Sequence, residues 1–275
     1  MTAFAALHHA DTPLLLPNAW DHASAAALAA QGFAAVGTTS LGVAAAAGLP
    51  DGAAATRDAT LNLALALGSG PFLLSVDTEG GFSDDPDEVA GVARELAAVG
   101  AAGINLEDGR PDGTLAPVEL HAAKIAAVKS AVPGLFVNAR TDTHWLGDGD
   151  GDGGDDGGGD LDDTSRRLDA YQQAGADGVF VPGLSEPSRI TALLKTLDVP
   201  LNILYSPTGP TVPALADLGV RRISLGSLLY RRALGAAVET AALIRAGRFV
   251  EGPAPTYDEV QAFVRPDSQR PDTLG

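Results

Sequence analysis

Three short phrases place charged groups directly after apolar runs: Asp77-Thr78-Glu79-Gly80-Gly81, Asn105-Leu106-Glu107-Asp108 and Asn138-Ala139-Arg140-Thr141-Asp142. A fourth, Thr38-Thr39-Ser40, offers hydroxyls and leads on to Asp51. If the apolar runs are neighbouring strands, the acidic groups crowd one mouth. Unpaired carboxylates at close range repel each other and tend to hold a proton. A divalent cation removes that conflict, and an all-oxygen ligand set favours Mg²⁺ or Mn²⁺. Helix capping or pairing with arginine is the alternative use of the same side chains. Cysteine is absent, which excludes disulfides, thiolate metal sites and a thiol nucleophile.

The elements that would bring these phrases together follow a repeated grammar. An apolar run precedes an Ala-rich helical run again and again, as parallel strands with crossover helices require. The runs predict strands at Pro13–Asn18, Phe33–Gly37, Phe72–Val76, Gly103–Glu107, Leu135–Arg140, Gly178–Val181, Leu201–Leu204 and Arg222–Leu225. The intervening helices are Asp21–Gln31, Thr56–Leu67, Pro86–Val99, Pro117–Ala131, Asp163–Ala174, Pro187–Leu197, Val212–Leu218 and Leu228–Ala246. Gly32, Gly100, Gly175 and Gly219 stand where a helix ends and a strand begins, the place for a left-handed C-cap. Eight such units predict a single-domain (β/α)₈ barrel over residues 1–252 with a C-terminal extension at 253–275, and a doubly wound open sheet is the other architecture of this pattern. In a barrel, strand ends at the carboxyl face carry the chemistry. Aromatics make up only 5% of the 275 residues, so Ala, Val and Leu must fill the core.

The net charge of −17 disfavours nucleic acid and anionic membranes as partners. Eight aspartates of that total lie in one Gly/Asp segment at 147–163, which reads as a disordered acidic loop. Asp148, Asp150, Asp152 and Gly153 have the opening spacing of a calcium loop, but the twelfth position is Gly159 instead of Glu. The first residues lack a basic region and a long apolar run, so a cytoplasmic location is expected. Among the histidines, His144 lies just past the fifth strand, whereas His22 and His121 read as surface or packing residues.

At these residues the chain resembles the isocitrate lyase / phosphoenolpyruvate mutase superfamily, in particular its small bacterial phosphonomutase-like branch. The resemblance runs from about Leu15 to about Ala246. It rests on PNAWDHASA, GTTSLGVAAAAGLPDG, SVDTEGGF, INLED, NARTD, AGADGVFVPG and GVRRISLG in that order. It implies that Asp77 is the principal metal carboxylate, with Glu79 and Glu107 reaching the metal directly or through water and Asp51 approaching the same site. It implies that Thr39, with the backbone N–H groups of Ser40 and Leu41, holds a 2-oxo acid, and that Arg140 contacts its oxygens. Asn202 and Tyr205, in and after the seventh strand, are further candidate substrate contacts.

The pattern breaks in one loop. Lyases of this superfamily carry a Cys after the fourth strand, and the mutases and phosphonate hydrolases a Lys. Here Asp108–Pro117 contains neither, and Arg110 is its only basic residue. Isocitrate lyase and methylisocitrate lyase activities are therefore not expected. The expected activity is Mg²⁺-dependent cleavage at carbon 3 of a small 2-oxo acid or dicarboxylate, with oxaloacetate-type decarboxylation preferred because CO₂ leaves without a leaving-group acid. A P–C bond mutase or hydrolase, or a non-catalytic 2-oxo acid binding protein, are the alternatives. The resemblance also implies a homo-oligomer, tetramer or dimer, formed by exchange of the last helix. Leu228–Ile244 has the little-interrupted apolar surface such packing uses.

Overall fold

The computed structural model describes residues 1–146 and 159–263. The calcium-loop-like aspartates at 148, 150 and 152 lie outside the described residues. The elements run α1 (Ala3–Leu7), β1 (Leu14–Leu16), β2 (Asn18–Ala19), α2 (His22–Ala30), β3 (Ala35–Thr38), α3 (Ser40–Ala47), α4 (Arg57–Leu67), β4 (Leu73–Asp77), α5 (Pro86–Ala98) and β5 (Ala101–Glu107). They continue with α6 (Val118–Ala131), β6 (Phe136–Arg140), α7 (Leu161–Gln173), β7 (Gly178–Val181), α8 (Pro187–Leu194), β8 (Leu201–Leu204), α9 (Val212–Leu218), β9 (Arg222–Ser224), α10 (Leu228–Arg245) and α11 (Tyr257–Phe263).

All strand pairs are parallel, in the order β1-β9-β8-β7-β6-β5-β4-β3-β2. β1 and β2 are one stave of the barrel, broken at Pro17. Proline has no N–H to give, and its carbonyl accepts from Gly37 N at 2.8 Å. At this residue the chain exchanges its β9 neighbour for β3, which closes a (β/α)₈ barrel. Asn18 seals the same seam: its Nδ2 donates to Thr38 O and its Oδ1 accepts from Leu225 N.

Local signals explain the boundaries. Asp21 and Ser24 form a reciprocal capping box on α2, and Asp85 and Glu186 cap helices whose first residue is Pro86 or Pro187. Gly32, Gly100, Gly175 and Gly219 all have φ between 86° and 104°, as the helix-to-strand grammar anticipates. Alternation along the strands then sorts the side chains. Leu74, Val76, Ile104, Leu106, Val137 and Val179 are buried in the main core between sheet and helices. Ser75, Asp77, Asn105, Asn138, Arg140 and Arg222 take the other parity and face the barrel interior.

Three helices lie outside the set the sequence pattern predicts. α1 packs Phe4 against Leu16, Ala35 and Phe136 where strands begin, and so stops the amino end of the barrel. α3 occupies an Ala-rich stretch expected to be loop, and α11 falls within the C-terminal extension. α10 is exposed within the single chain: none of its 18 residues is buried, and Leu234, Val238 and Ile244 are 53%, 64% and 62% exposed. Among the described residues no helix is long and apolar enough to cross a membrane.

Candidate active site

A cavity of about 600 Å³ opens at the carboxyl ends of the strands. Thr39, Ser40, Leu41, Asp51, Asp77 and Glu107 line it, as do Arg140 and Tyr205. Glu79, Asn202 and His144 do not.

Asp77 ends β4 on an inward-facing position. Its N–H donates to Thr38 Oγ1 at 2.9 Å, and its Oδ2 accepts from Ser40 N at 3.3 Å. Its Oδ1 is buried and has no partner among the described residues. Such an oxygen is costly unless something absent from the protein satisfies it. Thr39 is the N-cap of α3, yet its hydroxyl makes no cap bond and stays available at the cavity wall. The Ser40 N–H, by contrast, is already engaged by Asp77.

Glu79 is turned away from the cavity. Its backbone has φ 47°, its Oε2 accepts from Ala54 N at 2.9 Å, and its Oε1 accepts from the Thr56 hydroxyl. It therefore braces the turn that carries Asp51 to the rim. Burial raises the Glu79 carboxyl above its ordinary range, against the bonds from Thr56 and Ala54. Burial also raises Asp51, with Asp77 adding repulsion and Ser40 and Arg140 opposing.

Arg140, at the end of β6, is clamped. Its Nη1 pairs with Glu107 Oε2 at 2.8 Å and its Nε with Asp142 Oδ1 at 2.6 Å. The Trp145 and Phe180 ring centres each lie 5.7 Å from the guanidinium carbon. Nη2 has no acceptor among the described residues. Burial alone would lower the Arg140 pKa, but Asp142, Glu107 and Asp77 together raise it, so the guanidinium stays charged. Burial pushes Glu107 well above its usual range; Arg140 opposes this, while Asp142, Asp77 and Glu79 add to it.

Asp142 is held from below by Asp108. The Asp108 carboxylate accepts from Thr141 Oγ1, Asp142 N, Arg167 Nη1 and Tyr171 OH, at 2.9, 2.9, 3.1 and 2.7 Å. A Cβ at Gly109 would stand 2.2 Å from Asp142 Oδ2, so any side chain there would displace the carboxylate that clamps Arg140. The adjoining loop is a tight hairpin, with a Gly109–Leu115 bridge and an Arg110 N to Thr114 O bond of 2.9 Å. Arg110 also pairs with Asp84.

Asn202 lies beneath the cavity and donates to Ser224 Oγ at 3.0 Å. His121 packs edge-on against Tyr171, in keeping with a packing residue, and His22 is exposed. The strand alternation that marks Asp77 and Glu107 also marks Asn105 and Ser224, two further lining residues not singled out as contacts from sequence.

Among the described residues, no three His, Cys, Asp or Glu side chains stand close enough to form a metal site by themselves. Mg²⁺ does not need that: it commonly takes one or two carboxylates and completes its shell with water and ligand oxygens. Asp77, with its bare Oδ1, fits such an ion, and Glu107 and Asp51 line the same cavity.

A family model described as phosphoenolpyruvate phosphomutase matches residues 4–245. An uncharacterised protein of Mycobacterium tuberculosis H37Rv is 43% identical over 260 residues, covering 94% of this chain and 95% of its own. The 2-methylisocitrate lyase of Bacillus subtilis is 31% identical over 228 residues, covering 78% and 70%. Among solved structures, a candidate lyase/mutase from Burkholderia cenocepacia superposes with a TM-score of 0.84 at 35% identity, covering 96% of this chain and 95% of that one.

Proposed function

The chain belongs to the phosphoenolpyruvate phosphomutase family, and from that premise we propose that it is a Mg²⁺-dependent enzyme acting on a small 2-oxo acid or 2-oxo dicarboxylate. The observation that carries this reading is the pairing of a bare, buried Asp77 Oδ1 with the free Nη2 of a clamped Arg140 in one cavity. Mg²⁺, when bound at Asp77, would draw electron density from the keto oxygen of the substrate. Arg140 would hold a carboxylate or keto oxygen through Nη2, and its charge would stabilise the negative charge that collects there as a bond at carbon 3 breaks. The Thr39 hydroxyl and the Leu41 N–H would orient the acid end. Asp51, which lines the cavity, would return a proton to carbon 3.

Decarboxylation of an oxaloacetate-like substrate fits these residues best. CO₂ needs no acid to leave, and the Asp108–Pro117 hairpin supplies no Cys or Lys. The B. subtilis 2-methylisocitrate lyase relative keeps C–C lyase chemistry on related substrates as the second reading. Calorimetry with pyruvate, oxaloacetate and 2-oxoglutarate tests the proposal. At least one should bind with Mg²⁺ and fail to bind in EDTA, and CO₂ release should accompany oxaloacetate. Unchanged affinity in EDTA would sink the metal-dependent site; binding with no turnover of any substrate would leave a binding protein.

We also propose that α10 packs against a second copy of the chain. Eighteen residues without one buried side chain, and with Leu234, Val238 and Ile244 open to solvent, make a poor free helix. Light scattering should give a dimer or tetramer; a mass of 27.8 kDa would refute this.

A further inference from the structure

The floor of the cavity is arranged by a residue that does not touch it. Arg222 begins β9, is 0% exposed, and has no carboxylate within ion-pair distance among the described residues. Its Nη2 donates to Asn105 Oδ1 at 3.0 Å and its Nε to Ser224 Oγ at 3.1 Å. Asn138 Nδ2 donates to the same Asn105 oxygen at 2.9 Å, and Asn202 Nδ2 to the same Ser224 oxygen at 3.0 Å. Arginine can only donate. The atom of Asn105 that faces it must therefore be the carbonyl oxygen, and the amide cannot flip without setting N–H against N–H. Likewise Ser224 Oγ receives two donors, so its own hydrogen must point elsewhere.

Both residues line the cavity. Asn105 is 6% exposed, and its Nδ2 is neither bonded nor sealed off among the described residues. In the strand register Asn105 stands between Asp77 and Asn138, and Glu107, two residues on, pairs with Arg140. It thus lies under the line from the bare Asp77 oxygen to the Arg140 fork.

We propose that Asn105 and Ser224 form a donor-only floor that hydrogen-bonds acceptor oxygens of the bound acid, with Arg222 as the positioning residue that fixes their polarity. This rests on the 2-oxo acid reading above. The ligand class it selects is one whose buried face carries only acceptors, such as a keto acid or a planar dicarboxylate.

Two variants of Asn105 isolate the donor. Asn105→Asp keeps the acceptor that Arg222 and Asn138 need and removes the N–H. Asn105→Val removes the N–H without adding charge. Calorimetry would use oxalate and pyruvate with Mg²⁺, and Mn²⁺ alone as a control. Both variants should weaken oxalate by about ten- to one-hundredfold, the range for a hydrogen bond to a charged group. Mn²⁺ affinity should persist, and Asn105→Asp should keep the melting temperature. Arg222→Met should also weaken oxalate, and Arg222→Lys, again donor-only, should restore part of the loss. Wild-type oxalate affinity in either folded Asn105 variant overturns the assignment. If the wild-type protein binds neither oxalate nor pyruvate with Mg²⁺, the functional reading falls first and the floor falls with it.

Discussion

The two ends of this barrel share eight staves and differ in what fills them. At the amino end, Phe4 packs edge-on to Phe136 with ring centres 5.4 Å apart, and apolar Leu16 and Ala35 fill the rest. At the carboxyl end, Asp77 keeps a bare oxygen, Arg140 keeps a free nitrogen, and Glu107 and Asp51 sit above their ordinary pKa ranges, chiefly through burial. The closed end is spent on stability. The open end holds charge that only a ligand can complete.

The largest expected contrast comes from one substitution at each end. Asp77→Ala should lower Mg²⁺-dependent affinity for a 2-oxo acid by at least about one hundredfold, since outer-shell ligand losses alone reach that range. It should change the melting temperature little, because the loss of the long bond from Ser40 N is offset by removing a buried oxygen that has no partner. Phe4→Ala should do the reverse: a loss of about 3 kcal/mol in stability, with affinity per folded molecule unchanged. Denaturant unfolding and titration calorimetry on the two proteins read both quantities. A stability loss in Asp77→Ala as large as that in Phe4→Ala would erase the distinction.

The open end was more legible in the sequence than the closed one. Strand-end phrases around Asp77, Glu107 and Arg140 are visible because a parallel strand is a short apolar run and its polar terminus stands out. The barrel followed from repetition, with Gly100 and Gly175 as punctuation. What escaped was whatever depends on closure. Glu79 looks like a mouth carboxylate until its positive φ turns it to Ala54 and Thr56. Arg222 in GVRRISLG cannot be placed under Asn105 before β9 meets β8 and β1 across the seam. α1 is five residues long, too short to carry a periodic signal, and only Phe136 from a distant strand explains it.

The last predicted effect concerns pH and falls at the closed end. His8 stacks on Phe136 with ring centres 4.1 Å apart, and its Nδ1 bonds to Phe4 O at 2.9 Å. Its Nε2 is buried without a partner among the described residues. Burial lowers its pKa to about 3, with the Arg222 charge above it adding to the shift. His8 is therefore neutral in the folded chain at any ordinary pH. In the unfolded chain it takes up a proton near pH 6.5. The stability it contributes is present in full above that value and drains away as pH falls from there towards about 3. The slope is about 1.4 kcal/mol per pH unit for one proton. Buried His121, lowered to about 4, contributes in the same direction; burial and Lys124 and Arg167 lower it, and Asp108 opposes. His8→Gln removes one of the two. The variant should lose stability less steeply than wild type between pH 6.5 and 4, by about 1.4 kcal/mol per pH unit. Unfolding free energies across that window measure the difference directly. Parallel profiles would mean that His8 is protonated in the fold as readily as outside it, and that the closed end is not the dry region its packing implies.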